Sequence, residues 1–211
     1  MAAVVHSKTY DVRQRLADLG LEAKLLYDVA RAHRLARASC TPNDPPLLPG
    51  FLGWAHANRK IRELLLPLGW RKDDPGNFSI TINDSLRLYV VISTGDHLTG
   101  RAADADPQTK NPKGTRTAEA IKANRQIDLF PWTIPEEARK SAETAYYQAW
   151  WLLIDATADA TYIELSRPHE MDNGQIIDWA ERIILPPIDG APPGPAPDDF
   201  GPDFDPPVGR L

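Results

Sequence analysis

The sequence predicts an α+β fold: an antiparallel sheet of about five strands with flanking helices, a long flexible loop and a disordered tail rich in proline and aspartate. Three observations carry this reading. Apolar residues recur at three- and four-residue steps within 8–66, two alternating runs flank a turn within 78–93, and three runs rich in β-branched and aromatic residues lie between 150 and 187. At 211 residues, with 42% apolar and 25% charged, the chain can build one sizeable core, so 1–188 reads as a single domain and 189–211 as an appendage.

The first helical stretch covers 8–39. Val12, Leu16, Leu19 and Ala23, then Leu26, Val29, Ala30 and His33, keep one side apolar while Arg and Lys fill the gaps, and Gly20 divides the stretch into two helices. Prolines 42, 45, 46 and 49 break it, because each removes a backbone donor and fixes a dihedral. A further helix is expected from Phe51 to Leu66, ending before Pro67. Phe78, Ile80 and Ile82, then Leu88, Val90 and Ile92, alternate with polar residues around Asn83-Asp84-Ser85 and predict a hairpin.

Periodicity then fades. Residues 95–125 carry few large apolar side chains and read as a flexible basic loop whose end forms a short helix from Thr115 to Arg125. Thr133 and Glu136 have capping-box spacing, which predicts a helix from about Pro135 to Ala149. WWLLIDA, ATYIELS and IIDWAERIILPP follow as strands, with a turn at Thr157-Ala158-Asp159 and a longer loop from Arg167 to Gly174. The tail 189–211 is dominated by proline, glycine and aspartate, with Phe200 and Phe204 as its exceptions, and cannot bury enough surface to offset the entropy of ordering.

Composition also narrows function. Cys40 is the sole cysteine, which excludes an internal disulfide and a cysteine metal set and fits a reducing cytosol. No run is long and apolar enough for a signal peptide or a membrane span, so a cytoplasmic protein with no membrane association is expected. A net charge of −5 argues against nucleic-acid binding over the whole surface and leaves room for a local basic patch.

Between the loop and the expected third helix stands Gln126-Ile127-Asp128-Leu129-Phe130, closed by Pro131. As a strand it would set Ile127 and Leu129 on one face and Phe130 on the other, and Pro131 would end its ladder at once. The five residues resemble, at every position, the pentapeptide with which bacterial polymerases and mismatch-repair proteins bind the β sliding clamp: glutamine, an aliphatic residue, serine or aspartate, leucine, phenylalanine. The resemblance implies the β sliding clamp of bacterial DNA polymerase as partner, Leu129 and Phe130 as pocket anchors, Gln126 as a hydrogen-bonding latch, and Ile127 and Asp128 as spacer contacts. Two adjacent apolar anchors suit that role physically, since desolvated anchors carry most of a docking peptide's affinity.

Lys110, Lys113, Arg116, Lys122 and Arg125 precede the pentapeptide against the single acid Glu119, and form a candidate DNA contact. Catalysis has little support: no phosphate-binding loop or zinc motif is present, and His33, His56, His97 and His169 lack ligand spacing. No cofactor is called for. The expected function is thus a non-enzymatic accessory or regulator of DNA replication or repair, carried by a host, phage or plasmid. Two alternatives stand beside it. One is a metal-dependent nuclease using Asp155 and Glu164, although Ser166 occupies the position where a lysine would be wanted; the other is a binding or inhibitor module in which the pentapeptide is structural.

Overall fold

The computed structural model describes residues 3–103, 105–129 and 146–190. Helix α1 (Thr9–Asp18) and helix α2 (Ala23–Ala38) part at Gly20, whose φ of +67° is the left-handed conformation that ends a helix. Helix α3 (Leu48–Leu65) starts earlier than the expected Phe51 because Pro49 sits in its first turn, where no backbone donor is needed. A single 3-10 turn through Pro67 and the left-handed Gly69 then redirect the chain.

The strands are β1 (Val4–His6), β2 (Arg71–Asp73), β3 (Ile80–Asn83), β4 (Leu88–Thr94), β5 (Gln148–Ala156), β6 (Ala160–Asp172) and β7 (Gln175–Asp189). They form one sheet in the order β1-β7-β6-β5-β4-β3-β2. The expectation of about five antiparallel strands is therefore corrected, among the described residues, to seven in a mixed sheet. Strands β1 and β2 have three residues each, too few for an alternation to show, and Arg71-Lys72-Asp73 is wholly polar. Helix α4 (Thr115–Leu129) lies between β4 and β5 in the chain, and such a crossover lets the two neighbours run parallel, with Tyr89 opposite Ala149.

Each face of the sheet is covered. Val12, Leu16, Leu26, Val29, Ile61 and Leu65 of the first three helices pack on Val90, Trp150, Leu152, Ile154 and Leu165. On the opposite face Ala120 and Ile121 of α4 meet Tyr89, Val91, Trp151, Leu153, Ile176 and Trp179. Adjacent Trp150 and Trp151 thus serve opposite cores, the alternation a strand imposes, and burial on both sides explains why β5 reads as a continuous apolar run.

Two further expectations change. Arg167–Gly174 is not a long loop: β6 continues to Asp172, and Asn173-Gly174, with φ of +47° and +81°, makes a two-residue hairpin turn into β7. The segment 95–125 is not a flexible tether either. Gly95 bridges Thr109, Lys110 N–H donates to Thr94 O at 3.0 Å, Lys113 N–H donates to Gly174 O at 2.7 Å, and α4 follows. Of the helix expected over Pro135–Ala149, Gln148 and Ala149 belong to β5, while 130–145 lie outside the described residues, as does the tail 191–211. Among the described residues no helix is long and apolar enough to cross a membrane.

Candidate functional site

Helix α4 presents Thr117, Ala120, Ile121 and Asn124, at three- and four-residue steps, to the sheet, and all four are buried. Asn124 is its polar anchor. The β5–β6 ladder stops at Trp151 opposite Ser166, and bulges follow at Arg167 and Pro168, so the backbone of Ala149 and Pro168 needs other partners. The Asn124 side chain supplies them: its Oδ1 accepts from Ala149 N–H at 2.8 Å, and its Nδ2 donates to Ala149 O at 3.0 Å and Pro168 O at 3.2 Å.

Past Asn124 the attachment changes character. Gln126 is exposed, Ile127 is half-buried, and Asp128 accepts from Arg167 Nη1 at 2.6 and 2.7 Å near the surface. Leu129 is the last residue of α4; its side chain and Phe130 lie outside the described residues. Four of the five pentapeptide residues are thus helical, whereas an extended segment at the end of a loop was expected. The last turn carries Asp128 and no basic residue, so its charge opposes the negative end of the helix dipole, and the Arg167 guanidinium offsets that.

The five basic candidates do not form one uniform strip. Lys122 and Arg125 are exposed on α4 and, with Gln126, line a groove of about 780 Å³ whose other wall is Met171, Asp172 and Asn173 of the β6–β7 hairpin. Arg116 is exposed a turn and a half earlier on the helix and pairs with Glu119 at 3.1 Å. Lys113 stands before the helix, where its backbone is held by the hairpin turn. Lys110 belongs to a different neighbourhood, that of Asp155. Burial pushes the Asp155 carboxyl above the usual carboxylate range; Arg101, with Nη1 3.5 Å away, and Lys110 oppose that rise.

Glu164, the other candidate of the nuclease reading, is completely buried. One of its oxygens accepts from Ser166 Oγ at 2.7 Å and Arg182 Nε at 3.2 Å, the other from Gly100 N–H and Arg182 Nη2, both at 2.8 Å. Arg182 also reaches Asp106 at 3.2 Å and Arg101 O at 3.1 Å, so this cluster clamps the 95–110 loop onto the sheet. Among the described residues no group of three or more His, Cys, Asp or Glu is placed to share a metal ion.

Sequence reasoning missed Asn124, Arg167 and Arg182. For Arg182 a signal exists: a lone arginine inside an apolar strand needs a buried partner, and Glu164 is the one acid inside a neighbouring apolar run. Comparison with protein-family models, with curated proteins and with solved structures finds no match to this chain.

Proposed function

We propose that this protein is an accessory or regulatory factor of DNA replication or repair that docks on the β sliding clamp through Gln126–Phe130, offered when the last turn of α4 opens. The observation that carries the reading is the complete five-position likeness, sited at a helix end that the Asp128–Arg167 bridge ties to β6 near the surface. Docking in an extended form requires unwinding Gln126–Leu129. A partly solvated ion pair contributes on the order of 1 kcal/mol, and terminal turns fray at low cost, so the energy of burying a Leu and a Phe in a foreign pocket can exceed the cost of opening. Asn124 would hold the rest of α4 in place, keeping Lys122 and Arg125 beside the docked peptide, where contact with phosphates of clamp-encircled DNA gains from tethering.

The nuclease alternative has less support, because both Glu164 oxygens already accept two hydrogen bonds each and are directed into the loop clamp. The docking reading is tested by titrating the full chain against purified clamp. Wild type binds; Leu129→Ala/Phe130→Ala loses binding by at least about 100-fold, in line with the loss of two anchor side chains, and melts at the wild-type temperature. Absence of binding by the wild type overturns the proposal. A double variant destabilised by about 2–5 kcal/mol would instead make the pentapeptide structural.

A further inference from the structure

Residues 190–211, beyond β7, contain four aspartates against one arginine, so they carry three of the five net negative charges of the chain, together with Phe200 and Phe204. Their point of departure is fixed. Arg34 Nη1 donates to Asp189 O at 3.5 Å, and a Cβ at Gly190 would stand 2.2 Å from Asp159 O, so the chain leaves through a slot between α2 and the β5–β6 turn that admits only glycine. The flank of α2 bordering this exit lies along the end of β7, where Tyr27 Oη donates to Pro186 O at 3.1 Å. Its surface is basic and apolar. Arg31 and Ala38 are exposed, Arg34 is half-buried, and Leu35, at 71% exposure, is the most exposed large aliphatic side chain among the described residues.

We infer that the acidic tail folds back on this flank of α2, setting Phe200 or Phe204 against Leu35 and its aspartates beside Arg31 and Arg34. Charge, reach and the exposed leucine agree on that occupant. Charge is complementary, although Arg31 also pairs with Asp28 at 3.1 Å and must be shared. An extended chain spans up to about 3.3 Å per residue, so the ten residues from Gly190 to Phe200 reach well beyond a flank that begins at the exit itself. The docking is intramolecular, so loop closure costs little more for this length than for a shorter one. A solvated leucine between two arginines gains apolar contact without losing either charge to burial. This inference is independent of clamp docking, which concerns the opposite face of the sheet.

The test uses the full chain with p-benzoylphenylalanine placed at Phe200 or at Phe204, irradiated and mapped by mass spectrometry. The expected product has monomer mass and joins the probe to residues 27–38. Its yield falls at least about five-fold in Arg31→Glu/Arg34→Glu, and likewise in about 1 M salt, where screening shortens the electrostatic range to about 3 Å. Should the double charge reversal impair folding, Leu35→Ser carries the same expectation. Products spread over the surface, products found only at twice the monomer mass, or a yield indifferent to charge and salt would each overturn the inference.

Discussion

Glu164–Arg182 and Asp128–Arg167 are both carboxylate–arginine bridges anchored on β6 or β7, yet they serve opposite ends. In the first, side-chain exposure is 0% and 2%, and every carboxylate oxygen has two donors. In the second, exposure is 31% and 13%, and the bridge lies at the end of a helix. Desolvation makes the first costly to break, because one surviving charge would be buried without a partner; solvent makes the second cheap to break, because each ion can be rehydrated. The same pair of residue types thus locks a loop in one place and leaves a turn releasable in another.

The sharpest way to break this contrast is Glu164→Ala, which strands Arg182 and should cost about 3–5 kcal/mol in denaturant unfolding, with loosening of 95–110 seen by proteolysis. Asn124→Ala comes next. It leaves Ala149 and Pro168 backbone groups without their partners and should cost about 2–3 kcal/mol, without touching the pentapeptide. Arg167→Ala should cost no more than about 1 kcal/mol, yet tighten clamp binding by up to about five-fold, because it lowers the cost of opening the last turn. Equal destabilisation by Glu164→Ala and Arg167→Ala would erase the distinction.

The smallest effect concerns pH. The folded state holds the Asp155 proton more tightly than the unfolded chain does, so this group's contribution favours folding at low pH and is lost as pH rises from the ordinary carboxylate value through its raised one. Asp155→Asn should therefore flatten that part of the stability profile and give its benefit only above the window. Asp84 has the opposite sign. Its hydrogen bond from Arg71 holds the carboxyl below the usual range despite partial burial, with Tyr147 assisting, so its contribution is present above the ordinary carboxylate value and lost as pH falls through the lowered one.

Much of the scaffold was legible because periodicity reports burial. The apolar steps of α2, the alternation of β3 and the dense runs of β5 to β7 each match the faces they cover, whereas β4 departs from the expected alternation: it is buried on both sides, with Leu88, Val90 and Ile92 in one core and Tyr89 and Val91 in the other. Strands β1 and β2 were not legible, since three residues cannot display a period. The Asn173-Gly174 turn was visible as a dipeptide, but Pro168 and the polar residues around it made the flanking strands look like a loop. Helix α4 extended beyond expectation for a different reason. With few large apolar residues it draws its stability from burial against the sheet and from Asn124, whose task exists only because β5 and β6 diverge at Ala149. The pentapeptide itself was readable as a pattern of residue types; its helical state and its tie to Arg167 depend on a strand 39 positions away.

The central claim is that α4 has a firm body and a releasable end, and native-state amide hydrogen exchange along the helix tests it most directly. The account predicts a step: amides from Ala118 to Asn124 protected close to the global unfolding free energy, and those of 126–129 exchanging at least about 100-fold faster, as for a local opening about 3 kcal/mol or more below the global one. Protection running undiminished through Leu129 would contradict it.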